Sequence, residues 1–340
     1  MPHPPDHLPP DLKAIPFTVA RGRALGLSSK RMRRRDLDRP VRGVRRAAGS
    51  ADRTAASVWA TADTALRERC SALELVVPDG AFFSHLTAAR LWPLPLPGWA
   101  FAPGPVHVSV MEPAMSPRLP DVVGHRLSHH LISTVRRSGF RLVDPATLFC
   151  QLAAVLVLED LVAVGDALIL RPRFPDVMDE RPFVSVADLI ERVDRGRGRG
   201  SVRARRALGL VRPGAESRPE TLVRLAIVGA GLPEPEINLD VYTADGTLIG
   251  RGDMVYRRYR VVVEYDGDHH RTDTRQYDRD VERIDLFAVH RWRVVRLTGR
   301  AFVADRAACL ARIEQALVAG GWRRGPARPS SVQNVPLPRA

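Results

Sequence analysis

The chain has 340 residues, which exceeds the usual size of one domain, roughly 100–200 residues, so we expect two or three domains. Hydrophobic residues make up 45% and charged residues 26%, and no run reaches the ~20 apolar residues that a membrane-spanning helix requires. The formal net charge of +14 attracts a polyanion such as nucleic acid, although the codon bias of a high-GC genome produces the same arginine excess.

The ends of the chain and its cysteines predict little chemistry. Residues 1–10 are rich in proline and lack a signal-peptide pattern, so we expect a cytoplasmic protein with a flexible N-terminus at 1–14 and a disordered tail at 323–340. The three cysteines lie far apart, which predicts buried thiols rather than a disulfide framework or a structural zinc site.

Residues 15–53 are predicted to form a winged helix-turn-helix module that binds DNA. A first helix ends at Gly26, and Ser28 or Ser29 caps a second one. The second helix and the basic extended piece after it carry the candidate phosphate-binding side chains: Lys30, Arg31, Arg33, Arg34, Arg35 and Arg42. This order fits a helix in a major groove with a wing on phosphates, and the alternative is a solvated cationic helix.

Residues 54–170 are predicted to form a mixed α/β connector domain. Strands are expected at 73–77 and 106–111, and helices at 84–91 and 145–170, the last in two segments. The region also contains five histidines: His85, His107, His125, His129 and His130. They lack the spacing of a convergent ligand set, so the sequence predicts no metal site here.

Residues 171–211 are predicted to form a basic linker with one helix at 185–193. Prolines interrupt this segment, and the run from Arg195 to Gly200 alternates arginine with glycine. Such a tract either contacts phosphates or acts as a flexible tether, and its composition does not separate the two.

Residues 212–322 are predicted to form a small domain with the element order α-β-β-β-α-β-α. Ser217, followed three residues later by Glu220, forms a capping box at the start of the first helix. Asp245-Gly246 predicts a hairpin between two extended runs, and a third extended run follows. Glu220 therefore has a structural explanation, and a functional role for it stays open.

Two acidic side chains interrupt the apolar runs of the predicted strands. Asp253 and Glu264 destabilise such strands unless they are paired or exposed. Antiparallel pairing brings them together, and Mg²⁺ prefers one or two carboxylates with water and phosphate oxygens. The sequence therefore predicts a site for Mg²⁺, with Mn²⁺ as a substitute, that hydrolyses phosphodiester bonds.

A turn and a helix follow the third extended run. The turn contains His269 and His270, and one polar face of the helix carries Gln276, Arg279 and Arg283. We expect Arg279 and Arg283 to steady the transferring phosphate.

The carboxylates, the turn and the helix resemble the PD-(D/E)XK superfamily, in its branch related to the very-short-patch repair (Vsr) endonucleases. The resemblance covers roughly a third of the chain and implies an α/β (α+β) restriction-endonuclease-like fold with a mixed sheet. It also implies a magnesium site at Glu220, Asp253 and Glu264. A base at His270 or His269 is implied as well, and double-stranded DNA is the expected substrate.

The chain departs from the family pattern in two ways. Asp266 stands where the superfamily usually has a lysine, and the nearest substitutes are His269, His270, Gln276 and Arg279. The zinc ligands of the mismatch-repair enzymes are absent, which argues against mismatch repair. The substituted lysine makes an inactive site one of the alternatives.

The N-terminal half resembles the winged-helix regulators found as antitoxins of type IV abortive-infection (AbiEi) systems, notably in Pro16-Phe17-Thr18 and residues 83–89. The sequence thus favours a magnesium-dependent DNA endonuclease targeted by an N-terminal DNA-binding module, with no membrane involved. The alternative is a non-catalytic DNA-binding regulator with a degenerate nuclease domain. A toxin or a DNA-repair or restriction protein is a candidate partner, and a nuclease that acts on RNA and a structural scaffold are lesser alternatives.

Overall fold

The computed structural model describes residues 7–48, 58–128, 132–177, 179–266 and 283–325. The chain has a mixed α/β architecture, and it divides into two compact units, Met1–Leu152 and Ala153–Ala340. Among the described residues, no helix combines the length and the apolar character that crossing a membrane requires. The basic N-terminal segment belongs to the first unit, and the predicted carboxylates belong to the second.

The first unit begins with a small antiparallel sheet in the order β1-β3-β2. Its strands are β1 (Phe17–Thr18), β2 (Leu37–Asp38) and β3 (Val44–Ala47), and helix α1 (Val19–Ala24) follows β1. The Oγ1 of Thr18 accepts a hydrogen bond of 3.1 Å from the backbone N–H of Arg21. This contact caps the start of α1.

The second helix predicted for this segment is wrong. Only one turn of 3-10 helix forms, at Arg31–Arg33, and the backbone becomes extended at Arg34. The buried apolar side chains here, Met32 and Leu37, are five positions apart and make no helical stripe. One turn is too short to serve as a recognition helix in a major groove.

The rest of the first unit is built on a five-stranded mixed sheet in the order β6-β5-β4-β8-β7. Its strands are β4 (Phe82–Phe83), β5 (Val106–Met111), β6 (Val122–Leu127), β7 (Thr134–Arg137) and β8 (Phe140–Val143). Its helices are α2 (Val58–Leu73), α3 (His85–Leu91) and α4 (Pro145–Leu152). The predicted strand at 106–111 and helix at 84–91 are confirmed. The strand at 73–77 is wrong, because α2 continues to Leu73 and a turn follows it.

The second unit starts with four helices: α5 (Leu158–Ile169), α6 (Val186–Arg195), α7 (Ser201–Leu208) and α8 (Arg218–Gly229). The segment predicted as a linker therefore holds two helices, and they bury Leu189, Val193 and Ala207. In the Arg-Gly tract, Gly200 has a φ of +88°, and a Cβ atom there would lie 2.7 Å from the carbonyl carbon of Ala153. Because only glycine fits this close approach, the end of the tract is a packed turn rather than a free tether.

A four-stranded mixed sheet in the order β12-β11-β10-β9 follows these helices. The strands are β9 (Glu236–Tyr242), β10 (Leu248–Tyr256), β11 (Val261–Asp266) and β12 (Arg293–Thr298). The first three pair antiparallel, as predicted, and β12 joins β11 in parallel. The predicted hairpin is confirmed, and Gly246 at its tip has a φ of +88°.

Helices cover both faces of this sheet. Three helices lie in the C-terminal part: α9, described at 283–289, α10 (Gly299–Ala304) and α11 (Arg306–Ala319). The side chains of Met254 and Val263 pack on one face against helices α8, α10 and α11. Val255 and Val262 pack on the other face against Phe287 of α9. The predicted order of elements is thus extended by one helix, α10.

Candidate metal and phosphate site

Asp253 and Glu264 lie on neighbouring strands, as predicted. Met254 of β10 pairs with Val263 of β11, and each acid is the next residue beyond that pair. The two acids therefore face each other across antiparallel strands. The Oδ2 of Asp253 accepts a hydrogen bond of 2.8 Å from the backbone N–H of Tyr265, which fixes that carboxylate against β11.

The charge of Asp253 is poorly compensated. Burial and, second, the neighbouring Glu264 raise its pKa to about 6, although the Tyr265 N–H, Arg283 and Arg251 oppose the rise. Among the residues that the structure describes, no donor reaches its other oxygen, Oδ1. A carboxylate oxygen without such a donor, in a half-buried and negatively charged environment, suits a divalent cation.

Arg283 from α9 neutralises Glu264. Its Nη1 donates to Oε1 of the buried Glu264 at 2.9 Å, and its Nη2 donates to Oε2 at 3.2 Å. The same Nη1 also donates to the backbone oxygen of Arg251 at 2.6 Å. Gly250 makes this approach possible, because a Cβ atom there would lie 2.9 Å from the Cγ of Arg283. Arg283, predicted to steady a phosphate, thus pairs with a metal-ligand candidate, and its contact with a phosphate stays a prediction.

Glu220 lies in the first turn of helix α8, in the predicted capping box. Its Oε1 accepts the Ser217 hydroxyl at 2.6 Å, and its Oε2 accepts the Glu216 N–H at 3.0 Å and the Asn238 Nδ2 at 2.6 Å. Burial raises the pKa of Glu220, and the negative charge of Asp253 adds to that rise. Glu220 is therefore close enough to act on Asp253 electrostatically, while three donors occupy its oxygens.

Asn238 and Arg251 belong to the site but were not predicted from the sequence. Asn238 has a φ of +50°, and its Nδ2 donates to both Glu220 and the backbone oxygen of Gly214. Asparagine tolerates this left-handed backbone better than most residues, which is the one sequence signal for the position. The Nη2 of Arg251 donates to Oε1 of Glu216 at 2.6 Å.

The remaining predicted site residues fall into two groups. Asp266, which stands at the usual lysine position, forms a 3.1 Å ion pair with Arg296 of β12. The other predicted residues lie outside the described part of the chain: His269, His270, Gln276 and Arg279. Their roles stay predictions.

An open groove on the surface of the second unit includes Arg251, whose charge acts on Asp253. It is lined by Glu216, Asn238 and Arg251, which belong to the site, and extends to Arg171, Arg173 and Arg257. Arg173 pairs with Asp240 at 2.7 Å, whereas the side chain of Arg171 is exposed. The excess of arginine over acid gives the groove a positive potential that suits a phosphate chain.

The basic residues of the N-terminal segment divide into exposed and buried side chains. Lys30, Arg33, Arg34, Arg35 and Arg42 are exposed. Arg31 is buried, and its two terminal nitrogens donate to both oxygens of Asp36 at 3.0 and 2.7 Å. The prediction that Arg31 contacts DNA is therefore wrong, because its guanidinium is committed to a structural ion pair.

The expectation that the middle histidines do not converge is also wrong for three of them. His85, His107 and His125 offer nitrogens that all lie within 4.8 Å of one another. Strand pairing, rather than spacing in the sequence, brings them together. His129 and His130 lie outside the described residues.

No protein-family model matches the chain, and neither a curated protein nor a solved structure matches it.

Proposed function

We propose that the second unit is a magnesium-dependent DNA endonuclease centre of the PD-(D/E)XK type, in which Asp253 and Glu264 bind the ion. The observation that carries this proposal is the half-buried Asp253, whose Oδ1 meets no donor among the described residues and which faces a second carboxylate. Two carboxylates whose charges repel each other form a site that a divalent cation stabilises.

The residues of the chain have distinct tasks in this proposal. When bound, Mg²⁺ polarises the scissile phosphate and lowers the pKa of its water. The backbone N–H of Tyr265 orients Asp253. Asn238 orients Glu220, whose negative charge strengthens the field at Asp253. Arg283 compensates Glu264 and moves onto a phosphate oxygen when the ion takes its place.

The groove arginines and the basic N-terminal segment hold the substrate. Arg171 and Arg251 offer guanidinium groups in the groove, where they pair with backbone phosphates. The exposed Lys30, Arg33 and Arg42 attract duplex DNA through the same charge. His269 or His270 remains the candidate for the group that positions the attacking water.

One observation favours a second candidate function, a DNA-binding regulator with a retired nuclease site. Arg283 engages both oxygens of Glu264, so the guanidinium already supplies the positive charge that a metal ion would bring. Asp266, at the usual lysine position, pairs with Arg296 and supplies no positive charge of its own. Such a protein binds DNA but does not cut it.

Cleavage of supercoiled plasmid separates the two candidates. The purified full chain is incubated with plasmid in Mg²⁺, in Mn²⁺ and in EDTA, beside the Asp253→Asn variant. The control variant is Glu191→Gln, which changes an exposed acid on α6. A matched panel of duplex DNA, single-stranded DNA and RNA identifies the substrate class.

We expect nicking that requires the metal, that falls at least ~100-fold in Asp253→Asn and that is unchanged in Glu191→Gln. Equal cleavage by the wild type and Asp253→Asn would exclude Asp253 as a metal ligand. DNA binding without cleavage in either metal would favour the regulator.

A further inference from the structure

Three histidines converge at one corner of the five-stranded sheet in the first unit, outside the carboxylate site. His107 lies on β5 and His125 on β6, and these strands are parallel, with His107 opposite Val123 and Ser109 opposite His125. The two histidines are therefore diagonal neighbours on one face of the sheet. His85 is the first residue of α3, directly after the short strand β4 that pairs with β5.

The three rings are in close contact. The Nδ1 of His107 and the Nε2 of His125 are 3.0 Å apart. The ring of His85 stacks on that of His125 with centroids 3.9 Å apart, and the ring of His107 lies 5.2 Å from that of His125. One nitrogen from each ring lies within 4.8 Å of the other two. In a tetrahedral zinc site with Zn–N bonds of about 2.0–2.1 Å, the ligand nitrogens are about 3.3 Å apart, so the rings need only small movements.

The rings are also neutral and oriented, as metal ligands must be. Burial lowers the pKa of His85 to about 3 and that of His107 to about 4, and each of these pKa values is lowered further by His125. The Nδ1 of His85 lies 2.9 Å from the Oγ of Ser84, which in turn accepts the Ser109 hydroxyl at 2.7 Å. Hydrogen bonds of this kind to the second ring nitrogen fix the orientation of histidine ligands in metal sites.

Two further features distinguish this corner. His85 has a φ of +51°, a left-handed backbone that is uncommon outside glycine but that histidine adopts more often than most residues. Gln151 of α4 accepts the backbone N–H of His85 through Oε1, at 3.0 Å. Its Nε2 is buried without a hydrogen-bond partner among the described residues. This amide nitrogen can donate a hydrogen bond to a water or an anion that is bound to a metal ion beside the histidines.

We propose that His85, His107 and His125 form a binding site for a borderline transition-metal ion, with Zn²⁺ as the best match. Three imidazoles leave the fourth tetrahedral position to a water or an anion, and the Gln151 amide lies nearby to donate to it. All three side chains are partly exposed, so an ion can enter from solvent. The nearly parallel rings turn about χ2 to aim one nitrogen each at the ion, and this torsion is broad in histidine.

Zinc content after stripping and reloading tests the site. The full-length chain, freed of any affinity tag, is stripped with EDTA and dialysed against Zn²⁺ with excess Mg²⁺, which occupies hard oxygen sites. Bound zinc is measured by mass spectrometry for the wild type and for His107→Gln. His290→Gln changes a histidine of the second unit and serves as the matched control, and Asp253→Asn reports on the carboxylate site.

We expect His107→Gln to bind one zinc ion fewer per chain than the wild type, while His290→Gln and Asp253→Asn keep the wild-type content. Circular dichroism of the metal-free proteins checks that His107→Gln is folded. If it is not, X-ray absorption of the zinc-loaded wild type decides, with three imidazole nitrogens at about 2.0–2.1 Å as the expected shell. Equal zinc content in the wild type and a folded His107→Gln, or a zinc shell without three imidazoles, would overturn the proposal.

Discussion

Asp253 is fixed by one backbone hydrogen bond, and no donor among the described residues reaches its second oxygen in a half-buried and negatively charged environment. Glu264, on the neighbouring strand, has its charge balanced by Arg283. The two carboxylates thus differ in how far their charges are compensated, although they face each other. The difference predicts that Asp253 accepts a metal ion first, and that Glu264 joins when Arg283 withdraws.

The raised pKa of Asp253 predicts how the stability of the metal-free protein depends on pH. The folded state binds the proton of Asp253 more tightly than the unfolded chain, whose aspartates titrate near about 3.9. Asp253 therefore lowers the free energy of unfolding as the pH rises from about 4 to about 6. Asp253→Asn removes this penalty, so we expect the variant to be more stable than the wild type by on the order of 3 kcal/mol at pH 7.5.

Urea denaturation in EDTA at pH 4 and at pH 7.5 measures the effect. At pH 4 the wild type and Asp253→Asn should unfold at nearly the same urea concentration, because Asp253 is then protonated. Glu191→Gln, which alters an exposed acid, should show no such gain at either pH. A variant that is less stable than the wild type at pH 7.5 would contradict the uncompensated charge assigned to Asp253.

At the scale of elements, helix α8 is attached to α5 by buried ion pairs. The Nη2 of Arg224 donates to Oδ2 of Asp166 at 3.0 Å, and both side chains are almost fully buried. Thr221 and the backbone N–H of Arg212 also donate to Asp166. Because α8 carries Glu220 at its start, this network fixes one side of the candidate site.

Removing one partner of the buried pair leaves the other charge without compensation. We expect Arg224→Met to lower the free energy of unfolding by about 3–5 kcal/mol, and the double variant Asp166→Leu with Arg224→Met to recover most of that loss. Arg195→Ala breaks an exposed ion pair on α6 and should change stability by less than about 1 kcal/mol. Chemical denaturation of the three variants gives the comparison, and a double variant no better than Arg224→Met would contradict the ionic account.

The elements that begin or end at a local sequence signal were predicted well. Helix α8 and the hairpin of β9 and β10 have local signals, a capping box and an Asp-Gly turn, that do not depend on the rest of the fold. The prediction of a second N-terminal helix was wrong because it rested on a run of charged residues. Such a run provides no apolar stripe for a helix to bury. Helix α7 was missed because its buried residues, Ala204 and Ala207, are small and follow a glycine-rich tract.

At the scale of the whole molecule, positive charge is present in both units. In the first unit, exposed Lys30, Arg33 and Arg42 carry it, and in the second unit the groove arginines do. Contacts with phosphates release bound counterions, so they make DNA affinity depend on salt. Substitution of the exposed arginines of the N-terminal segment should therefore change DNA affinity and its salt dependence, unlike substitution of the buried Arg31.

The double variant Arg33→Ala with Arg42→Ala should weaken duplex DNA binding for all sequences. We expect the slope of log affinity against log salt to fall by about 0.9 for each phosphate that the variant no longer neutralises. Arg300→Ala with Arg323→Ala removes the same charge from exposed positions in the second unit, away from the groove residues, and serves as the control. Fluorescence anisotropy at several salt concentrations gives the slopes, and equal slopes for the two double variants would contradict a DNA-binding role for the N-terminal segment.

The candidate sites were predictable only where the chain signals them locally. Asp253 and Glu264 were predicted because a carboxylate in an apolar strand is anomalous. Asn238, Arg251 and the three histidines of the first unit were not, because register and strand order bring them to their partners. Such contacts depend on the folded sheet and leave no pattern in the sequence.

Binding of Mn²⁺, followed by the electron paramagnetic resonance signal of the free ion, tests most directly whether Asp253 and Glu264 hold a divalent ion. The metal-free wild type should remove free Mn²⁺ from solution in a saturable manner, and excess Mg²⁺ should release it. Asp253→Asn should lose this uptake, whereas His107→Gln should keep it. Equal Mn²⁺ uptake by the wild type and Asp253→Asn would contradict a metal centre at these two carboxylates.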